Sequence, residues 1–347
     1  MKRLTALLTC LMAATICIAQ DYLWSPDSLS ATSPNFAMNK YNHLLNYHDQ
    51  MMYLTYPVIY PIESRKVPLR DGEGKSGYWL EGNFSNRFII HKGKYYNPEL
   101  LQRLRLTFDV RLTPRLTQDN SSPLLPSNNE FGLGVDFLVS SLSGLLKDYA
   151  TPAWLTIQLH HYSNGQADSF FIVDDEGNQR NNYRSGSFST NFLRLVFNIA
   201  NVASDRYVFS GGAGWQKEMD LGGPFEFSPE MKKSYGKQRA LFYCQWLSVS
   251  RLVTTNSIFS TAIKKIAKKR QFLLRTELEY ILDDLSNFPL DRKYRLGGHV
   301  YLTYMPSITN EVGFMIHAYA GRDYLNIRFD DIVFIGEAGL YMRINKR

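Results

Sequence analysis

The chain has 347 residues, with 39 Lys and Arg against 32 Asp and Glu, for a formal charge of +7. This mild excess suits anionic lipid headgroups and is too weak to argue for nucleic acid as a partner. Aromatic residues make up 14% of the chain, including 22 Tyr and 21 Phe. No stretch beyond the first twenty residues approaches the apolar length of a transmembrane helix, so a membrane-spanning chain of this composition must be a closed barrel.

In chain order, the first element is an expected export signal over residues 1–19. Lys2 and Arg3 give a basic start, Leu4 to Ile18 are mostly apolar, and Cys17-Ile18-Ala19 supplies small residues for cleavage before Gln20. Without Lys2 and Arg3 the mature charge is 7 − 2 = +5. Cys10 and Cys17 fall inside the signal, which leaves Cys244 alone and excludes an intramolecular disulfide. Residues 20–77 show no sustained periodicity and are punctuated by Pro26, Pro34, Pro57, Pro61 and Pro68. They read as an irregular non-barrel segment with one helix near Met38 to Leu54.

From residue 78 to 347, segments of roughly ten residues with alternating character recur between turn-like stretches, as in a membrane barrel. The expected strands are Leu101–Thr113, Glu130–Val139, Trp154–Ser163, Ser187–Ala200, Arg206–Trp215, Ala240–Leu252, Gln271–Ile281, Tyr294–Met305, Glu311–Ala320 and Ile332–Ile344. Weaker candidates at Trp79–Ile90 and Tyr324–Phe329 bring the total to about twelve, an even number typical of such barrels. The fold expectation is therefore all-β, a transmembrane antiparallel β-barrel of about twelve strands preceded by an irregular segment. Met219–Lys237 and Thr254–Arg270 read as longer loops. The basic run Lys264 to Arg270 is a solvated surface or, alternatively, a contact for anionic headgroups.

Side chains on a strand alternate faces, which sorts the candidate chemistry. Along Trp154–Ser163, Leu155, Ile157, Leu159, His161 and Ser163 share one face, opposite the more polar set Trp154, Thr156, Gln158, His160 and Tyr162. Along the next, Ser187, Ser189, Asn191, Leu193, Leu195, Phe197 and Ile199 share a face. His161, Ser163 and Asn191 thus continue lipid-facing rows, where a passive barrel favours apolar or aromatic side chains. Adjacent antiparallel strands can bring them within hydrogen-bond reach. A serine hydroxyl needs an imidazole to take its proton, and the imidazole needs a third group to fix its tautomer. The alternative is that Ser163-Asn164-Gly165 is a turn and His161 an interfacial polar residue.

The run His161-Tyr162-Ser163-Asn164-Gly165-Gln166 resembles the histidine-x-serine-asparagine-glycine signature of the outer membrane phospholipase A family. Ser121-Ser122-Pro123 with Asn128 and Glu130 resembles that family's serine-serine-proline loop and the asparagine and glutamate downstream of it. Ser187 to Asn191 resembles the segment ending in the catalytic asparagine, and Tyr319-Ala320-Gly321 with Gly336 to Asn345 resembles the closing strands. The resemblance covers Ser121 to Asn345. It implies a twelve-stranded barrel in the bacterial outer membrane that hydrolyses acyl esters of phospholipids, depends on calcium and works as a homodimer. It further implies Ser163 as nucleophile, His161 as base, Asn191 as orienter and the Gly165 N–H as oxyanion donor. Calcium ligands would be the Gln166 carbonyl, the Ser187 hydroxyl and the Ser121 carbonyl from the partner subunit.

The chain departs from the family pattern at four places. Phe170 to Ser185 lengthens the loop between Ser163 and Asn191 and carries Asp174, Asp175 and Glu176, with Asp168 just before it. These acids either add calcium affinity or are solvated. Thr190 stands where a tryptophan usually precedes the catalytic asparagine, and Gln166 replaces an arginine. The chain ends without the terminal aromatic common in such barrels. Two other functions compete. A non-enzymatic pore or adhesin would leave the outward polar residues unexplained, and a soluble α/β lipase would require a Gly-x-Ser-x-Gly elbow that the chain lacks.

Overall fold

The computed structural model describes residues 51–59, 78–91, 104–117, 124–138, 153–173, 177, 179–182, 185–201, 207–220, 227, 234–250, 270–283, 285, 295–306, 312–325, 329 and 332–342. The expected signal peptide lies outside them, as do residues 20–50 and 60–77 of the expected N-terminal segment.

Among the described residues the strands are β1 (Met52–Ile59), β2 (Tyr78–His91), β3 (Leu104–Thr113), β4 (Arg115–Thr117), β5 (Asn128–Leu138), β6 (Ala153–Ser163), β7 (Phe171–Val173), β8 (Gln179–Asn181), β9 (Ser189–Asn201), β10 (Tyr207–Met219), β11 (Gln238–Ser250), β12 (Arg270–Ile281), β13 (Leu296–Met305), β14 (Val312–Arg322) and β15 (Ile332–Met342). One antiparallel sheet runs β1-β15-β14-β13-β12-β11-β10-β9-β6-β5-β3-β2-β4 and closes through β1 pairing with β2. Pro114 cannot donate to the ladder and interrupts one stave, so β3 and β4 both pair with β2. Counted this way the wall has twelve staves. β7 and β8 form a separate two-stranded hairpin.

Burial alternates along each stave with the sign inverted relative to a soluble protein. On β14, Phe314 and Ile316 are 60% and 58% exposed while Met315 and His317 are 1% and 0%. The outer wall is accordingly apolar, and the lumen holds the polar side chains. Arg87 forks onto Asp109 at 2.8 and 3.0 Å, and Arg105 meets Asp136 at 2.8 Å through Nε. Arg239 reaches the buried Glu218 at 2.7 Å. Buried pairs of this kind gain little over apolar packing, but removing one partner strands a charge at a cost of about 3–5 kcal/mol. They therefore fix strand register strongly.

Two expectations are corrected. Met52–Ile59, assigned to the non-barrel segment and in part to a helix, is a barrel stave. Tyr53 and Thr55 point inward at 5% and 0% exposure while Leu54, Tyr56 and Val58 point outward, a period of two that no helix satisfies. Pro57 sits beside a register shift in the pairing with β15, which accommodates its missing N–H. The described residues of the expected strand Tyr324–Phe329, namely Tyr324, Leu325 and Phe329, are not part of a stave. Tyr324 donates its hydroxyl to Glu81 at 2.7 Å and Phe329 joins a buried aromatic cluster, and both line the barrel's internal cavity instead of forming the wall. The remainder of the expected helix lies outside the described residues.

Candidate active site

β6 supplies two of the three chemical groups, and its phase decides where they point. Thr156, Gln158 and His160 are buried in the lumen, at 6%, 7% and 3% exposure, whereas Ile157 and Leu159 reach 37% and 51% on the outer wall. His161 and Ser163 continue the outer row, each half-buried. β9 lies alongside with His161 directly opposite Asn191 and Ser163 opposite Ser189. His161 Nδ1 lies 3.1 Å from Asn191 Oδ1. A carboxamide oxygen only accepts, so Nδ1 carries the proton and Nε2 is the basic nitrogen. On the other side of β6, Phe131 of β5 opposes His161 with ring centroids 5.0 Å apart, which walls the imidazole against rotation.

Asn191 is 6% exposed, and its Nδ2 has no hydrogen-bond partner among the described residues. Leaving a buried amide donor unsatisfied costs about 1–3 kcal/mol, a cost that native structures concentrate at functional sites. Thr190 turns inward and donates to Glu218 at 2.9 Å.

After Ser163 the chain turns on Asn164, whose side chain is 2% exposed. Its Nδ2 donates to the Gly186 carbonyl at 2.7 Å, and its Oδ1 accepts from Phe188 N at 3.0 Å and Gln166 N at 3.2 Å. Gly165 follows with φ of 69°, in the left-handed region that glycine enters without penalty. The same carboxamide therefore fixes the Gly165–Gln166 backbone against the segment carrying Ser187. That segment is also laced to Asp168, since Ser187 N donates to Asp168 O at 2.7 Å and Asp168 N donates to Ser185 O at 3.1 Å.

The insertion after Ser163 builds the small β7–β8 hairpin and returns through Asn182, whose N–H donates to Phe170 O at 2.7 Å. Phe170 enters a buried cluster with Phe188, Phe227 and Phe329. Phe170 and Phe329 stack with centroids 5.7 Å apart and Tyr235 meets Phe188 edge-on at 5.1 Å. This cluster ties Phe170 of the insertion to Phe188, next to the segment that carries Ser187. Asp174, Asp175 and Glu176 lie outside the described residues.

Of the expected ligands, the exposed Gln166 and the half-buried Ser187 stand on either side of the Asn164 carboxamide, and Ser121 lies outside the described residues. A backbone carbonyl and a hydroxyl are neutral hard oxygens, a set that suits calcium and no softer metal, and the exposed Asp168 is one bridge away. The donors present thus fit the ion. Two groups were not singled out in the sequence. Asn164 was hidden because serine-asparagine-glycine reads as an ordinary turn, whereas Phe131 was signalled only by its outward phase.

No family model and no curated protein sequence matches the chain. Its fold is similar to that of the Salmonella typhi outer membrane phospholipase, solved as a dimer with bound calcium, at a TM-score of 0.50 and 13% identity over 84% of this chain and 90% of that one. It is equally similar to Escherichia coli outer membrane phospholipase A and to an active-site mutant of that enzyme, each at a TM-score of 0.50 and 14% identity over the same shares. At such identities the likeness establishes a shared barrel architecture.

Proposed function

We propose that the chain is a calcium-dependent outer-membrane phospholipase A that hydrolyses acyl esters of phospholipids and lysophospholipids. The observation that carries this reading is the 3.1 Å contact between His161 and Asn191 on the apolar outer wall, with Ser163 on the same row. Polar groups are costly on a wall of Leu, Ile and Phe facing lipid unless they do chemistry there. The apolar outer wall also supports a location in a bacterial outer membrane.

In the reaction, Ser163 Oγ attacks the acyl carbonyl carbon while its proton passes to His161 Nε2. Negative charge develops on the carbonyl oxygen, toward which the Gly165 N–H donates. The carbon–oxygen bond to the glycerol breaks, and His161 returns the proton to the departing alkoxide. Water then repeats the sequence on the acyl-serine, releasing a fatty acid and restoring Ser163. Asn191 holds His161 in the tautomer that leaves Nε2 basic. The Gln166 carbonyl and the Ser187 hydroxyl, with the carbonyl of Ser121 of the partner subunit, would hold calcium. When bound, calcium would supply positive charge that stabilises the developing oxyanion.

The site's position supports a homodimer. His161 and Ser163 sit on an open outer wall, and a second barrel packed there supplies the missing side of an acyl-chain groove. The structural relative from Salmonella typhi is itself a calcium-bound dimer. A pore would leave the outward polar row unexplained, and its lumen would be crossed by ion pairs such as Arg115 with Asp323 at 2.9 Å. The deciding experiment is fatty-acid release from mixed micelles by refolded wild-type protein and Ser163→Ala, with and without calcium. Calcium-dependent release that vanishes in Ser163→Ala is expected; release by the variant at the wild-type rate overturns the serine mechanism.

A further inference from the structure

A second cluster of ligating groups lies inside the barrel, on the wall formed by the first and last staves. His317 of β14 and Glu337 of β15 are directly opposed in the ladder. Glu81 of β2 approaches them past β1, where the small Thr55 leaves the space for both carboxylates to converge. One atom from each of Glu81, His317 and Glu337 can be chosen so that all three lie within 4.8 Å of one another. These residues are 0%, 0% and 1% exposed. We propose that Glu81, His317 and Glu337 bind a single divalent transition-metal ion of the zinc class, which staples the closure seam of the barrel across β14, β15, β1 and β2.

Three features of the cluster support this assignment. Arg115 offsets the charge of Glu81 from one side at 2.9 Å, and a cation between the two buried carboxylates would turn their remaining repulsion into attraction. The donor set of one imidazole and two carboxylate oxygens is the one zinc accepts, whereas an imidazole is a poor ligand for calcium or magnesium. Ligand atoms around a tetrahedral zinc ion stand roughly 3.3 Å apart for bonds of about 2.0–2.1 Å, which shifts of about an ångström reach from the observed spacing.

The surroundings also have the form of an outer shell that orients ligands. Thr55 Oγ1 donates to Glu337 Oε2 at 3.0 Å, and Arg115 Nε donates to Glu81 Oε2 at 3.0 Å. His299 Nδ1 lies 3.0 Å from His317 Nε2, which fixes the ring and leaves Nδ1 directed at Glu337, 2.7 Å away. Partners of this kind hold first-contact ligands in place and set their basicity. The site is independent of the proposed hydrolase, since it lies in the lumen and draws on none of its residues.

The test loads the refolded, metal-stripped full chain with zinc chloride, removes the excess and counts zinc per barrel. A chromogenic chelator in competition gives the affinity. One tightly held zinc per barrel is expected, with affinity falling at least ~100-fold in His317→Gln and Glu337→Gln. In Thr55→Val the fall should be about 10–100-fold, the range for an outer partner. Heat-modifiable migration reports whether each variant has folded. Wild-type protein that holds no stoichiometric zinc, or folded His317→Gln that binds it as tightly as wild type, overturns the proposal. Should the ligand variants fail to fold, zinc-edge X-ray absorption on the wild type decides. Mixed oxygen and imidazole coordination supports the site, and a sulfur or all-oxygen shell refutes it.

Discussion

Asn164→Ala probes the candidate site without touching any group assigned to the chemistry. The change deletes hydrogen bonds at 2.7, 3.0 and 3.2 Å that tie the turn after Ser163 to the segment carrying Ser187. Each is worth about 1 kcal/mol net, so the junction loses about 3 kcal/mol. The loss is local, because the ladders of β6 with β5 and β9 do not depend on this side chain. At about 1.4 kcal/mol per factor of ten, the productive arrangement of Gly165, Gln166 and Ser187 becomes roughly 100-fold rarer. kcat/KM for fatty-acid release should fall by that factor while the heat-modifiable migration of the folded barrel is retained. The calcium concentration for half-maximal activity should rise together with the loss, because the same carboxamide positions both proposed ligand segments. A variant with wild-type kcat/KM and an unchanged calcium response would refute the argument that this clamp organises the oxyanion and metal side of the site.

The remaining expectations concern the reacting groups and the assembly. Ser163→Ala should abolish hydrolysis with the barrel still folded, and His161→Ala should be comparably severe, both read as fatty-acid release by protein of verified heat-modifiability. Asn191→Ala should retain measurable activity, since the residue orients the base and does not take part in bond making; a loss as complete as that of Ser163→Ala would assign it more than orientation. Chelation should stop hydrolysis and added calcium should restore it, because neutral oxygens hold the ion weakly; undiminished rates in excess chelator would remove the metal from the mechanism. Specific activity should rise with the protein-to-detergent ratio in step with crosslinked dimer, and monomers at full specific activity would exclude a shared site.

Eleven of the twelve staves were legible in the sequence because their alternation survives in segment after segment. Most strand bounds expected from the pattern fall within a few residues of those observed, as with Trp154–Ser163 against Ala153–Ser163. The phase of β6 and β9 was legible too, since Ile157, Leu159 and Phe197 are long apolar residues whose outward position fixes that of His161 and Asn191. β1 escaped notice for a physical reason. It is a closing stave that contains Pro57, and its inward Tyr53 and Thr55 bond to Glu81 and Glu337, partners far away in the chain. Tyr324–Phe329 failed in the opposite direction, since its aromatic residues resemble a strand locally but find their partners in the lumen. Asn164 and the Glu81–His317–Glu337 cluster depend on contacts between residues distant in sequence, which no local pattern announces.

His160 and His161 are neighbours in sequence with separate duties, and the strand's alternation is what divides them. His160 faces the lumen, 2.7 Å from Glu130 and 3.2 Å from Asp109, and Asp109 in turn holds Arg87 and accepts from Gln158 Nε2 at 2.7 Å. This network locks β2, β3, β5 and β6 to one another from inside. Gly132 tightens the same region, since a Cβ there would lie 2.2 Å from Leu159 O and 2.4 Å from the His160 ring. The outer faces of β5 and β6 carry Phe131 and His161, so the rigidity of the lumen is transmitted to the imidazole through a shared backbone. A wall of flexible strands could not hold His161 against Asn191 within hydrogen-bond tolerance while lipids collide with it, and an active site gains most from supporting groups that are themselves immobile. The charged lumen of this barrel is thereby explained without conduction: its ion pairs brace the wall on whose far side the proposed chemistry takes place.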